Sequence, residues 1–564
     1  MAKFTVSPGV AISEIDNTFL TGQPVQAGAA IIGPTVKGPV ENPTLVTSYS
    51  DYVNLFGDTF ISGGNSYSYL TSIAAYNYFN YGGSSLLVTR VVTGSYTPAS
   101  STSATNYFTS SSFTLETLSQ GVIMNSSSSL DSNGALASGS NDNIRFEITN
   151  SNTGSGTFNV LIRRGNDITN NPVVLESFNG VNLDPNSSRY ISNVIGDQRL
   201  NYNAANNQME LTGSYSNKSR YVRVKAVNYN TPNYFDASGN PVSAYTASIP
   251  INGSGSFTGA TGTLNTTMNM YDTISTNTQG LTGGCYDNMI SLLGNADAYQ
   301  FNVLFAPGLL NDTHITQITN IITNTTSRGD NLFVLDLTSF NSNVVSATVE
   351  AQKRDTSYAA AYWPWVRIAD PATGKQVWVP ASTMIPGVYA FNDKVSAPWF
   401  APAGINRGGL NTVLQAQYKL SQANKDALYS SNVNPLATLP KQGVVVFGQK
   451  TLQKAASALD RVNVRRLMIE LKSYIRQIAD TVVFEQNTIA TRNSFLAKVG
   501  PYLDIIQQKQ GLYAYKVVMD DSNNGPAVID QNQLVGQIYI KPTRTAEFIS
   551  LDFILLPTGA NFPG

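Results

Sequence analysis

Between residues 461 and 482 the chain sorts its side chains by face, as an amphipathic helix does. Advancing about 100° per residue from Arg465, the positions of Arg461, Lys472 and Arg476 fall within about 40° of it. Val464, Leu467, Met468, Leu471, Tyr474, Ile475, Ile478 and Val482 occupy the opposite sector. The pattern predicts one side packed on a core and, on the other, a single basic line that calls for an acidic partner running alongside.

Periodicity also divides the rest of the chain. Phe4, Val6, Val10 and Ile12 alternate with polar or small residues around Ser7-Pro8-Gly9, predicting an extended arm without a local partner. Helices are predicted at 50–57 and 71–81 and a buried strand at 85–92, which together make a small α/β unit. From about 94 to 140, and again from 234 to 282, a Ser-, Thr- and Asn-rich background predicts exposed β-rich insertions. Strands at 143–149, 157–163, 173–178 and 220–227, with a helix at 187–195, fill the space between. A strand at 303–305, a turn at Pro307-Gly308, a helix ending near Arg328 and a strand at 332–335 restore α/β order. A strand at 443–447 precedes the basic helix. A second helical region at 491–510 is expected to break at Gly500-Pro501, and strands follow at 512–519, 534–542 and 546–555.

Charge sharpens the picture. The net charge of −1 hides twelve Lys and Arg against five Asp and Glu between Lys441 and Lys516, so the remainder is acidic. No basic tail or nucleic-acid motif accompanies that excess, which argues against direct nucleic-acid binding. Charged residues make up 13% of the chain, well below the roughly 25% of ordinary soluble domains, as expected of a protein with extensive polar contact surface in an assembly. A length of 564 residues predicts several domains. Residues 1–10 carry no long apolar segment and no stretch approaches the roughly 20 apolar residues of a membrane span, so folding in a cytoplasm and no membrane insertion are expected.

Candidate chemistry is sparse. A lone cysteine, Cys285, excludes an intrachain disulfide, and it reads as a small buried residue. A lone histidine, His314, at the start of a predicted helix reads as a surface or capping residue, and no metal site or catalytic triad is expected. Residues 520–525 (Asp-Asp-Ser-Asn-Asn-Gly) lack the distal glutamate of a calcium loop and read as a turn. Pro307-Gly308 carries no phosphate-binding glycine pattern. Tyr362, Trp363, Trp365 and Trp378, interleaved with prolines, read as packing between domains. Neither a cofactor nor an enzymatic activity is expected.

Three blocks of the chain carry a shared signature. One is Tyr362-Trp363-Pro364-Trp365-Val366, Asp370-Pro371, Val379-Pro380-Ala381-Ser382, Gly387-Val388-Tyr389-Ala390, Asp393 and Ala401-Pro402-Ala403-Gly404. A second is Val483-Phe484-Glu485-Gln486-Asn487, Gly511-Leu512, Asn523-Asn524 and the run from Ile540 through Lys541-Pro542-Thr543-Arg544-Thr545-Ala546-Glu547-Phe548 to Ile549. The third is Pro8-Gly9-Val10, Ile15, Gly33-Pro34 and Gly38-Pro39. Together these blocks resemble contractile phage tail sheath proteins, and they cover about the first ninety residues and everything after about 301. Glu176-Ser177-Phe178 and 184–187 (Asp-Pro-Asn-Ser) look like that family's protruding domain.

The resemblance implies an α/β and α+β multidomain fold: an arm strand at 1–20, an α/β core from 21–95 and 286–400, β-rich protruding domains inserted at 96–285, and a C-terminal sheath domain at 401–564. It implies hexameric rings stacked helically around a tail tube, contracting to drive the tube through the host envelope, with baseplate and tail terminator proteins as further partners. Assembly in the host cytoplasm and residence in the virion tail follow. Terminal arms are then expected to pair between subunits through Phe4, Val6, Val10 and Ile12 at one end and Phe548, Ile549, Leu551 and Phe553 at the other. Arg461, Arg465, Lys472 and Arg476 are expected to bind the tube. The sheath of another contractile injection system, a tailocin or secretion machine, shares the core pattern; a β-rich adhesin or carbohydrate-binding protein would account for the Ser- and Asn-rich middle but not for the basic helix.

Overall fold

The computed structural model describes residues 25–101, 111–264 and 269–548. The arm positions Phe4, Val6, Val10 and Ile12, and Ile549, Leu551 and Phe553, lie outside the described residues.

The centre is an eight-stranded sheet in the order Thr44–Val46, Leu86–Arg90, Val25–Gly33, Tyr299–Leu310, Leu332–Asp336, Ala359–Trp363, Val433–Leu439 and Gly443–Val446. Its six inner strands are parallel and an antiparallel strand closes each edge. Strands buried on both faces read as apolar runs, and side-chain alternation splits them cleanly. Ala29, Ile31, Val303, Phe305, Val334 and Tyr362 join one core with the helices Tyr49–Phe56, Leu70–Asn80 and Ile385–Val395. Ala30, Ile32, Leu304, Phe333, Leu335 and Trp363 join the other with Asp287–Leu292, Ile315–Arg328 and Val344–Gln352. Neighbouring aromatics of the Tyr-Trp-Pro-Trp block thus serve opposite faces of one sheet. The sheet also runs across position 400, because its last two strands come from beyond it.

Pro307-Gly308 does not make a turn. The strand continues through it from Tyr299 to Leu310, and the pairing register with the next strand shifts between Phe305 and Leu310. Pro307 has no N–H to give the ladder and Gly308 takes a φ of 100°, so the pair is absorbed as a bulge. Gly500-Pro501 likewise does not break its helix, which runs Ile489–Gln508. Pro in a helix interior costs about 3 kcal/mol; burial of Val499, Leu503 and Ile506 on either side holds the turns together.

The insertion folds around its own core. One four-stranded sheet (Pro98–Ser101, Phe113–Gln120, Val222–Val227, Phe257–Thr258) faces another (Ile144–Asn152, Thr157–Arg164, Val174–Asn182, Gly253–Gly255). Phe113 stacks on Phe158 at 5.6 Å and Phe146 meets Phe257 edge-on at 5.7 Å. A hairpin, Arg199–Asn203 with Gln208–Thr212, presses Tyr202 and Met209 on the central domain and is fixed by Asn207 Nδ2 donating to Ser291 O at 3.0 Å.

Two residues weighed from sequence sit differently from expectation. His314 is buried, not a surface group; its Nδ1 accepts the Leu310 N–H at 3.1 Å, and burial depresses its pKa. Cys285 is partly exposed at the margin of the second core. Asp336, unremarked in the sequence, is buried at the end of its strand, where its carboxylate accepts the Ser382 N–H at 3.0 Å and the Ser382 hydroxyl. Desolvation raises its pKa to about 7. The folded state therefore holds a proton that the unfolded chain has released above about pH 4, so this residue's contribution to stability falls as pH rises from about 4 to 7. Asp336→Asn should gain on the native chain across that window by at least about 1.4 kcal/mol, the equivalent of one pKa unit. Urea titrations at pH 4 and pH 8 check this; an unchanged difference between the two chains at both pH values would contradict it.

Candidate assembly surface on the C-terminal helices

The helix Val462–Asp480 packs antiparallel to Ile489–Gln508, and both lie on a hairpin formed by Leu512–Val518 and Gln537–Pro542. The apolar sector read from periodicity builds this unit: Leu467, Leu471 and Ile478 are buried, Met468, Ile475 and Val482 partly so, and Tyr474 stacks on Tyr502 at 3.7 Å.

The basic line is not an open surface. Arg465 is 4% exposed, with its guanidinium 4.0 Å over the Tyr358 ring and a hydrogen bond to Ser357 Oγ; burial lowers its pKa. Arg461 caps the helix, pairing through Nε with Glu547 at 2.8 Å and through Nη1 with Asp460 at 3.0 Å. Lys472 is exposed and reaches the Tyr358 hydroxyl at 3.2 Å. Arg476 is the most open of the four, joined to Asp297 at 2.7 Å with both side chains more than half exposed. The acidic and aromatic groups that the stripe faces are thus supplied by the chain itself, because periodicity shows which face a cation is on and not what packs there. Arg466, off the stripe by about 100°, is buried against Tyr389 and pairs with Asp393 at 2.5 Å; burial disfavours its charge, and Asp393 outweighs that to raise its pKa.

Glu547, named in the sequence only as part of the signature run 540–549 and given no role there, is a central residue of this surface. Burial opposes its ionisation, yet hydrogen bonds from Tyr429, Gln449 and Arg461 outweigh burial and hold its carboxyl below the usual range. This fixes the strap 543–548 against the central domain. Phe548, expected in an arm strand, lies outside any strand with its ring edge-on to Tyr429 at 6.3 Å and largely exposed. The only hint in the sequence was an acid in a run of Thr, Ala and Phe close after Lys541 and Arg544.

The hairpin is a two-stranded sheet whose outer edges have no strand partner among the described residues. Its root is tied to the central domain by Trp399 Nε1 donating to Lys509 O at 3.0 Å. Open edges of this kind template the addition of a further strand. No described helix is long and apolar enough to cross a membrane, and no group of three or more His, Cys, Asp or Glu that could hold a metal occurs among the described residues.

The described residues thus combine a three-layer α/β core, a β insertion and a helix-and-hairpin unit whose outer edges have no strand partner among the described residues. Residues 454–555 match the phage tail sheath C-terminal domain family. The chain is 40% identical over 216 residues to the tail sheath protein of Vibrio phage KVP40, covering 38% of this chain and 32% of that one. It is 40% identical over 185 residues to the tail sheath protein of Enterobacteria phage T4, covering 33% of this chain and 28% of that one. The matched regions thus span about a third of the length of these curated relatives. The fold of a sheath tail protein from Listeria innocua superposes over 92% of this chain and 96% of that one, at a TM-score of 0.50 and 9% identity. The chain thus carries a match to the phage tail sheath C-terminal domain at residues 454–555, and over about a third of its length it is similar to phage tail sheath proteins.

Proposed function

We propose that this chain is the repeating subunit of a contractile phage tail sheath, stacking as hexameric rings around a tail tube and shortening to drive the tube through a host envelope. The observation that carries this reading is the helix-and-hairpin unit whose two outer strand edges have no partner among the described residues, lying in the region that matches the sheath C-terminal domain family. Terminal arms of neighbouring copies, Phe4, Val6, Val10 and Ile12 from one and Ile549, Leu551 and Phe553 from another, would add to those edges, with Phe548 at the root of the second arm. A head-to-tail link of this kind propagates open or ring-shaped polymers. Baseplate and tail terminator proteins would bound the polymer, formed in the host cytoplasm before it joins the virion tail.

Within this reading the tube contact falls to Lys472 and Arg476, the exposed end of the stripe, while Arg461 and Arg465, on the same helix face, are engaged by Glu547 and Tyr358 of the chain itself. Exposed ion pairs contribute about 0 to 1 kcal/mol each and weaken with salt, which suits a grip that must release. Negative-stain microscopy of the purified protein tests the assembly: tubes formed without added sugar or nucleotide are expected, and a protein that stays monomeric under all assembly conditions overturns the reading. The double variant Lys472→Glu, Arg476→Glu should still form tubes from sheath protein alone, yet lose assembly on an acidic tube at moderate salt. Unchanged co-assembly of that variant would remove the tube contact from these residues.

A further inference from the structure

The turn joining the two C-terminal helices, residues 481–488, presents apolar side chains to solvent in a way that burial patterns do not require. Phe484 is fully exposed, and Val483 and Ile489 are more than half exposed. Single exposed apolar residues are ordinary. Here three fall within seven positions, and Phe484 holds a φ of 69°, a left-handed conformation that bulky residues rarely adopt. Strain of that kind persists where the surroundings fix it, and they do. Glu485 N–H donates to Val482 O at 3.2 Å, Asn487 Nδ2 to Gln533 O at 2.8 Å, and the Thr488 side chain caps the next helix by accepting the Thr491 N–H at 3.3 Å. The aromatic is a knob on a pinned turn, so little conformational freedom remains to be lost on contact.

At the other end of the same helix lies a groove of about 540 Å³ whose walls include Ala403, Arg407, Lys425, Tyr429, Phe447 and Phe548. Phe447 and Phe548 are exposed there. Lys425 sits 5.2 Å over the Phe447 ring and Arg407 5.2 Å over the Phe400 ring, and neither is ion-paired among the described residues. Asp426, also on the wall, is engaged by Gln422 at 2.8 Å. Groove and knob are complementary in kind: an aromatic with an adjoining carboxylate, Glu485, against an apolar floor flanked by Lys425 and Arg407, the wall carboxylate Glu547 being already paired with Arg461.

We propose that the Val483-Phe484-Glu485 knob of one copy seats in the groove beside the Gln422–Ser430 helix of a second copy. The helix Val462–Asp480 that separates the two surfaces has 19 residues and so spans about 28 Å; a knob cannot reach the groove of its own chain. The contact is therefore heterologous, joining unlike surfaces of successive copies, and such contacts generate rings or helical polymers. This inference rests on the sheath reading and adds to it an interface distinct from strand exchange between arms.

The test uses the full chain carrying Cys285→Ser, with Phe484→Cys and Ala403→Cys. On mild oxidation of assembled protein, a ladder of covalent oligomers is expected from the double-cysteine chain and none beyond dimer from either single one. Tubes of that double-cysteine chain that yield no ladder overturn the proposal, as does a cross-link from Ala403→Cys to a cysteine placed within 549–564 of the same monomer. Because Phe484 is fully exposed, Phe484→Ala should leave the melting temperature unchanged and raise the protein concentration needed for assembly at least about tenfold. Assembly of that variant at the native concentration refutes the interface and leaves the sheath reading standing, whereas native protein that never forms tubes refutes the sheath reading itself.

Discussion

Deleting residues 1–15 is expected to leave a folded protomer that does not polymerise. Among the described residues, every strand of the central sheet lies at or beyond Val25–Gly33, so the deletion removes none of these described partners. What the deletion removes, on the proposed assembly, is the strand that pairs with an open edge of another copy's Leu512–Val518 and Gln537–Pro542 hairpin. A net contribution of about 0.5 to 1.5 kcal/mol per hydrogen bond, repeated along a strand and joined by burial of its apolar side chains, makes this the strongest link between copies. Exposed ion pairs, at about 0 to 1 kcal/mol each, cannot replace it. Sedimentation should show a monomer with unchanged circular dichroism, and micrographs should show no tubes. Tubes of native length from the truncated chain would assign the link elsewhere.

The second large effect concerns the inserted domain. A chain with few charges places four of them in one cluster there: Asp167, fully buried, pairs with Arg163 at 2.7 Å and Arg145 at 3.4 Å, while Glu147 pairs with Arg163 at 2.9 Å. Asp167 also accepts the Val173 N–H at 2.9 Å. Removing one partner of a buried pair costs about 3 to 5 kcal/mol, because the remaining charge stays in a medium that does not solvate it. Asp167→Ala leaves Arg145 without a carboxylate and should destabilise the insertion by that amount, a large share of the roughly 5 to 15 kcal/mol that holds an ordinary domain together. Asp167→Asn, which keeps an acceptor for Val173, should lose less. Urea unfolding followed by tyrosine fluorescence checks both, and a loss below about 1 kcal/mol for the alanine variant would show that the cluster relaxes or hydrates.

Much of the local structure was legible because its causes are local. The period of the apolar positions at 464–482 marks a helix and the face it buries. The apolar runs at 303–305 and 332–335 mark strands covered on both sides, and strand pairs such as Ile144–Asn152 with Thr157–Arg164 show through alternation. The failures were at Pro307-Gly308 and Gly500-Pro501, where backbone rules predict an ending and neighbours in space carry the element through. His314 failed for a related reason, since a polar residue at a helix start is ordinarily wet and this one is buried at the end of the strand Tyr299–Leu310, accepting the Leu310 N–H.

The candidate site divides along the same line. Sequence alone determined that Arg461, Arg465, Lys472 and Arg476 share one helix face and that the opposite face is apolar, since both follow from the 3.6-residue repeat. Only the tertiary structure decided that Arg465 lies over Tyr358, that Arg461 clamps Glu547 across 86 positions, and that Lys472 and Arg476 alone remain at the surface. Those partners come from segments distant in sequence, and their meeting depends on how the central sheet and the C-terminal helices pack. A periodic pattern sets the direction of a side chain from its own axis; what stands opposite is set by the fold.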